Sequence, residues 1–148
     1  MALANDNSAF IALIDDDSHS AHLLTRMLLA HGSPDIHHFG GAVAGRAALQ
    51  VNLSNFDAVW PSLLIVDLKS HSSANLEFAI SMQAVLRQKG VAFVVMCQPL
   101  DQAGRDALYD AGAAAIFCRE ADIDAYRREA AGIVSFWARN QRLNAVGM

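Results

Sequence analysis

The sequence predicts an α/β fold built on one doubly wound, five-stranded parallel sheet. Three observations carry this. Short apolar runs rich in β-branched residues recur along the chain, helical segments with apolar stripes separate them, and the two alternate in the order βαβαβαβαβα. Strands joined through helices pair in parallel, because the crossover returns the chain to the same end of the sheet, and such crossovers are right-handed. With 148 residues, 53% hydrophobic and 18% charged, the chain has the size of one domain and enough apolar side chains to bury a sheet on both faces. The expected domain is residues 1–148, with its core over about 9–140.

The first run, "FIALI" from Phe10 to Ile14, reads as a strand buried on both faces. Ser18 to His31 follows as a helix with Ala21, Leu24, Met27 and Leu28 on one stripe, ending at Gly32, which can take a left-handed cap. "DIHHF" after Pro34 is a weaker strand, followed by a helix to about Val51 and a loop through "NLSNFDAVWPS". "LLIV", Leu63 to Val66, is the third strand. Leu76 to Lys89 is the next helix, with Leu76, Ala79, Ile80, Gln83, Ala84 and Leu86 on its stripe and Gly90 just past its end. "VAFVVMC", Val91 to Cys97, makes the fourth strand, and Asp101 is placed to cap a short helix to Ala111. After the turn-like "DAGA", "AAIFC" forms the fifth strand. The last helix, about Asp122 to Leu143, carries Ile123, Tyr126, Ala130, Ile133, Val134 and Trp137 at helical spacing. Phe136 lies off that stripe, as a residue reserved for a partner would.

A formal net charge of −4 leaves no general cationic surface for nucleic acid phosphates, so no direct nucleic acid partner is expected. Cys97 and Cys118 lack C-x-x-C spacing, consistent with a reduced compartment. No run approaches the ~18 apolar residues of a membrane span, and the first ten residues lack the basic start and long apolar stretch of a signal peptide. A cytoplasmic protein is expected. The six histidines form no metal motif, although His71 should fall in the loop beside Asp67.

Ligands of an open parallel sheet sit at the carboxyl ends of its strands. Two strands end there in acids, the first at Asp15 and Asp16 and the third at Asp67. Carboxylates gathered in one crevice repel and raise one another's pKa unless something neutralises them. Mg²⁺, which prefers carboxylate oxygens, a backbone carbonyl and a phosphate oxygen, is one solution. An aspartate beside such an ion can also take a phosphoryl group as a nucleophile. Asp17 and Ser18 are more simply read as caps of the helix that follows.

The pieces "LIDDDSHSAHLLTRML", "LLIVDLK", "VVMCQ" and "DAGAAAIFCRE" together resemble a receiver domain, the CheY-like response-regulator module of bacterial two-component signalling, from Phe10 to about Asn140. The resemblance implies a flavodoxin-like (βα)5 fold with strand order 2-1-3-4-5. It implies Asp67 as acceptor of a phosphoryl group from a histidine kinase or phosphotransfer protein, a signalling role and not turnover of a substrate. Asp15 and Asp16 would be the metal-side acids, Asp16 the more direct Mg²⁺ ligand, and the backbone carbonyl of Lys69 a further ligand. Homodimers through the fourth helix, fifth strand and fifth helix are implied too.

The departures bear on the switch. Cys97 stands where receivers carry Thr or Ser, and a thiol is a weaker donor. Arg119 replaces Lys, keeping the charge on a larger, forked head. Glu120 follows it in place of Pro, so a trans bond is expected. Ile116 takes the place of the aromatic switch. His71 and Asn75 replace a Pro and a Gly, with Asn tolerant of left-handed backbone. Two function classes follow: a phospho-acceptor with a nonstandard switch, or a pseudo-receiver that docks partners without phosphorylation. A redox role for Cys97, its pKa lowered by Arg119 or paired with Cys118, competes with the ordinary reading of a small buried hydrophobe. A flavodoxin-like cofactor binder lacks support, because there is no G-x-G-x-x-G or P-loop.

Overall fold

Strands whose residues are apolar on both faces need cover on both sides, and that requirement sets the architecture. In the computed structural model, which describes residues 9–146, the chain runs β1 (Phe10–Asp15), α1 (Ser18–Ala30), β2 (Asp35–Gly40), α2 (Ala42–Leu53), β3 (Leu63–Asp67), α3 (Ala74–Lys89), β4 (Phe93–Cys97), α4 (Gln102–Asp110), β5 (Ala115–Cys118) and α5 (Ile123–Val146). All four strand pairings are parallel, and the order is β2-β1-β3-β4-β5, as expected.

Alternation along each strand divides the core in two. Ile11, Leu13, Leu63, Ile65, Val94 and Met96 face α1 and α5, meeting Leu24 and Leu28 from the first and Ala130 and Ile133 from the second. Ala12, Ile14, Leu64, Val66 and Val95 face the other way, against Leu49 and Leu53 of α2, Phe78 and Met82 of α3 and Leu108 of α4. The three central strands β1, β3 and β4 are buried throughout, whereas β5 is half-buried along its length.

Capping follows residue chemistry. The Asp17 carboxylate accepts from the His19 and Ser20 amides at the start of α1, at 3.0 and 3.3 Å, as its cap reading requires. Asp101 accepts from the Gly104 amide at 2.8 Å to open α4. Gly90 closes α3 with φ at 71°, the left-handed conformation that favours glycine.

Four expectations need correction. On α3 the inner stripe is Ala74, Asn75, Phe78, Ala79, Met82 and Leu86, while Ile80 is 59% exposed. The helix also starts two residues earlier than expected, at Ala74, so Asn75 is helical and not left-handed. On α5, Ile123 is exposed, and Phe136 packs with Trp137 against the α1 side of the core instead of standing free for a partner.

Candidate functional site

Parallel register places the acids. Asp15 and Asp67 are direct cross-strand partners at the last paired position of β1 and β3. Each continues the face that holds Leu13 and Ile65, so the two carboxylates lie side by side at the carboxyl edge of the sheet. Both are buried, at 1% and 0% exposure. Like charges directly opposite on a sheet destabilise it, and burial removes the water that would screen them.

The structure answers this with two cations. Lys69, two residues beyond Asp67, folds its side chain back so that Nζ lies 2.6 Å from Asp15 Oδ1, 3.1 Å from Asp67 Oδ1 and 2.9 Å from the Asp67 carbonyl. Two of these contacts are hydrogen bonds, to Asp15 Oδ1 and the Asp67 carbonyl, and the approach to Asp67 Oδ1 is an ion pair. From the other side Arg119, at the end of β5, directs Nε at 3.1 Å and also Nη2 onto Asp67 Oδ1. Its Nη2 donates as well to the Met96 carbonyl at 3.2 Å, which ties the guanidinium to β4. The Arg119 amide donates to the Cys97 carbonyl at 2.7 Å.

These contacts load one oxygen of each acid and leave the other bare. Asp15 Oδ1 takes Lys69 Nζ and the Asp17 amide, and Asp67 Oδ1 takes both cationic heads. Asp15 Oδ2 and Asp67 Oδ2 are buried with no hydrogen-bond partner. Burial pushes the Asp15 carboxyl up, opposed by the Lys69 hydrogen bond and reinforced by the Asp67 charge. Bare, buried carboxylate oxygens suit a hard cation, so the donor set fits a divalent metal at this edge.

Of the expected ligands, the structure brings Asp15 and Asp67 together and holds Asp16 slightly apart. The Asp16 carboxylate is exposed and accepts from the Lys69 amide at 3.0 and 3.1 Å and the Ser70 amide at 2.9 Å. It thereby fixes the β3–α3 loop that carries Lys69. Among the described residues, no group of three or more His, Cys, Asp or Glu side chains forms a ready metal cage.

Two side chains contribute to the site in ways the sequence reading does not anticipate. Lys69 is expected to act only through its carbonyl. The signal for more is available, because a residue two positions beyond Asp67 in extended chain lies on the same face. Asn75, expected as a permissive loop residue, is 8% exposed; its Oδ1 accepts from the Leu68 amide at 2.8 Å and its Nδ2 donates to the Met96 carbonyl at 3.3 Å. It ties the loop after Asp67 to β4. Tyr126 of α5 is also buried near the acids; burial first, then the Asp67 and Asp15 charges, push its phenol up to about 12.

The positions at which the chain departs from the receiver pattern each find a distinct setting. Cys97 ends β4 and lines a groove with Ser72, Ser73, Leu76, Leu100 and Gly104. Ile116 is half-buried and packs on the α3 side of the sheet. No cis peptide bond occurs among the described residues, so Glu120 follows Arg119 in trans. His71 meets Glu77 at 3.4 Å and not Asp67.

Cys97 and Cys118 are register partners on adjacent strands, and both are free thiols. Burial pushes Cys97 from 9.0 up to about 11, and Arg119 offsets only part of this. The burial agrees with the reading of Cys97 as a small buried hydrophobe and removes the lowered pKa that the redox alternative requires, because desolvation outweighs the cation. A native state that keeps its thiol proton to higher pH than the unfolded chain loses stability as pH rises through that window. Urea midpoints should fall between about pH 9 and 11. Cys97→Ala should make the decline shallower, leaving the part that the raised Tyr126 phenol contributes; an undiminished decline in that variant would assign it to other groups.

Solved structures share this fold. The phosphorylated cyanobacterial phytochrome response regulator RcpA matches with a TM-score of 0.73 over 89% of this chain and 95% of its own, at 18% identity. The response regulator receiver domain from Rhodospirillum rubrum gives 0.69 over 88% and 94%, at 17% identity. The Mn(2+)-bound form of response regulator Rcp1 gives 0.69 over 88% and 94%, at 19% identity. The chain thus has the receiver fold. No protein-family model and no curated protein matches it.

Proposed function

We propose that this chain is a receiver module that accepts a phosphoryl group on Asp67 from a histidine kinase or phosphotransfer protein, in two-component signalling within the cytoplasm. The observation that carries the reading is the state of Asp67, a buried strand-end carboxylate with Oδ1 gripped by Arg119 and Lys69 and Oδ2 bare. Oδ2 is the nucleophile. It attacks phosphorus of the donor phosphohistidine, the P–N bond breaks, and its electron pair leaves with the imidazole, which takes up a proton.

Arg119 steadies the acceptor before transfer and can then donate to the phosphoryl oxygens from the same side. A Mg²⁺ held by Asp15, Asp16, Asp67 and the Lys69 carbonyl would, when bound, neutralise charge on those oxygens. Cys97 offers only a weak donor and Ile116 no ring. On this reading Arg119 and the loop pinned by Asn75 are the groups left to carry the response. Pairing through α4, β5 and α5 is the proposed route to a homodimer, and half-buried β5 is an available edge for it.

A second reading, a docking module that needs no phosphorylation, is favoured by one specific observation: Lys69 and Arg119 already neutralise Asp67. Intact-mass spectrometry after incubation with acetyl phosphate separates the two. The acceptor reading expects one added phosphoryl group that requires Mg²⁺ and disappears in Asp67→Asn. No adduct on folded protein, together with no binding of the beryllofluoride mimic, would leave the docking module.

A further inference from the structure

We infer that the Lys69 ammonium is the resident cation of this carboxylate site and that a divalent metal enters only by displacing it. The inference rests on reading the strand-end acids as the working site. Nζ sits between Asp15 and Asp67, within ion-pair distance of an oxygen of each, and also donates to the Asp67 carbonyl. A dication held by these two carboxylates would meet this ammonium at close range. Like charges a few ångströms apart cannot share a partly buried pocket without a heavy Coulomb cost.

The remaining geometry shows that the displacement is possible. Both Oδ2 atoms are buried and bare, so metal contacts are available as soon as the positive charge of Lys69 is withdrawn. The Lys69 side chain is 21% exposed, so its head has a path to water along a flexible stem. Asp16 holds the Lys69 and Ser70 amides, so the backbone stays fixed while the side chain exchanges. Tight metal coordination and the Lys69 ion pairs are then alternative states of one site. The metal-free protein is already charge-compensated, and affinity for Mg²⁺ is reduced by the work of moving the lysine.

Only two lysines occur in the chain, Lys69 and Lys89. Lys89 lies over the Phe56 and Trp60 rings, among residues other than those of the acid site, and serves as an internal control. Acetylation with an amine-reactive ester, read by peptide mass spectrometry, should modify Lys69 several-fold faster in saturating Mg²⁺ than in EDTA, with Lys89 unchanged. Calorimetric titration with Mg²⁺ and Mn²⁺ should show Lys69→Met binding at least about tenfold tighter than the parent protein. Equal affinities of parent and variant would overturn the inference. So would metal binding that leaves Lys69 protected in the parent protein, a readout that stands even if Lys69→Met does not fold. Neither measurement uses a phosphoryl donor, so failure of the acceptor reading leaves both intact.

Discussion

Arg119→Ala should unfold at markedly lower urea than the parent protein, with about 3 kcal/mol of stability lost. The cost comes from what remains, since the fully buried Asp67 would be left with only Lys69 to meet it. Removing one member of a buried pair typically costs about 3 to 5 kcal/mol, and the lower end applies because the Arg119 side chain is 19% exposed and a second cation persists. Arg119→Lys should restore part of the loss, limited by an ammonium's inability to grip Asp67 and the Met96 carbonyl as a fork does. A double-mutant cycle with Asp67→Asn supplies the check: the Arg119 effect should shrink sharply once the acid is neutral. An Arg119→Ala protein as stable as its parent would mean that Lys69 alone balances the site.

Ile65→Ala should be comparably severe through a different mechanism. Ile65 is fully buried in the middle of β3, facing α1 and α5, two residues before Asp67. Truncation removes transfer free energy and leaves a cavity, a combined cost of about 2 to 5 kcal/mol, whereas Ile65→Val should cost about 0.5 to 1.5 kcal/mol. Urea denaturation with an unchanged m-value should show this order. The strand also aims Asp67, so on the proposed acceptor reading phosphoryl uptake should fall in Ile65→Ala while surviving in Ile65→Val. An alanine variant within a few tenths of a kcal/mol of the parent would mean that the sheet and α1 collapse to fill the gap.

The elements legible in the sequence are those whose patterns have one reading. "FIALID" and "LLIVD" are apolar to their last residue and then acidic, which identifies both the strands and the edge of the sheet where chemistry gathers. α3 is harder because apolar residues occur around its circumference. Leu76 and Ile80 define one stripe, Phe78 and Met82 another, and only packing against the sheet chooses the second. Helical spacing separates Phe136 from Trp137, but α5 meets both α1 and the sheet, and such a wide buried arc accommodates neighbours.

At the site, Asp15 and Asp67 are legible because strand ends and parallel register bring them together. The reach of Lys69 is obscured because the resemblance assigns that position a backbone role. A long cationic side chain beside two buried acids follows electrostatics before it follows a family pattern. Backbone tolerance is the obvious property of Asn75, yet its amide matters more, because the loop after Asp67 has a Leu68 N–H to satisfy in a buried setting.

The two tryptophans of the chain occupy the far end of the sheet from these acids. Trp60 precedes β3 and donates to the Asn55 carbonyl at 3.1 Å, while Trp137 donates to Ser62 Oγ at 2.9 Å, beside the start of β1 where Ser62 bonds the Phe10 carbonyl. A five-residue strand spans roughly 17 Å, so both indoles are separated from Asp67 by the whole length of the sheet. Intrinsic fluorescence in this protein is thus a gauge of global unfolding, quiet to events at the acidic edge. Emission should stay flat whether or not metal or a phosphoryl group is loaded, while the same signal in urea reports the whole molecule.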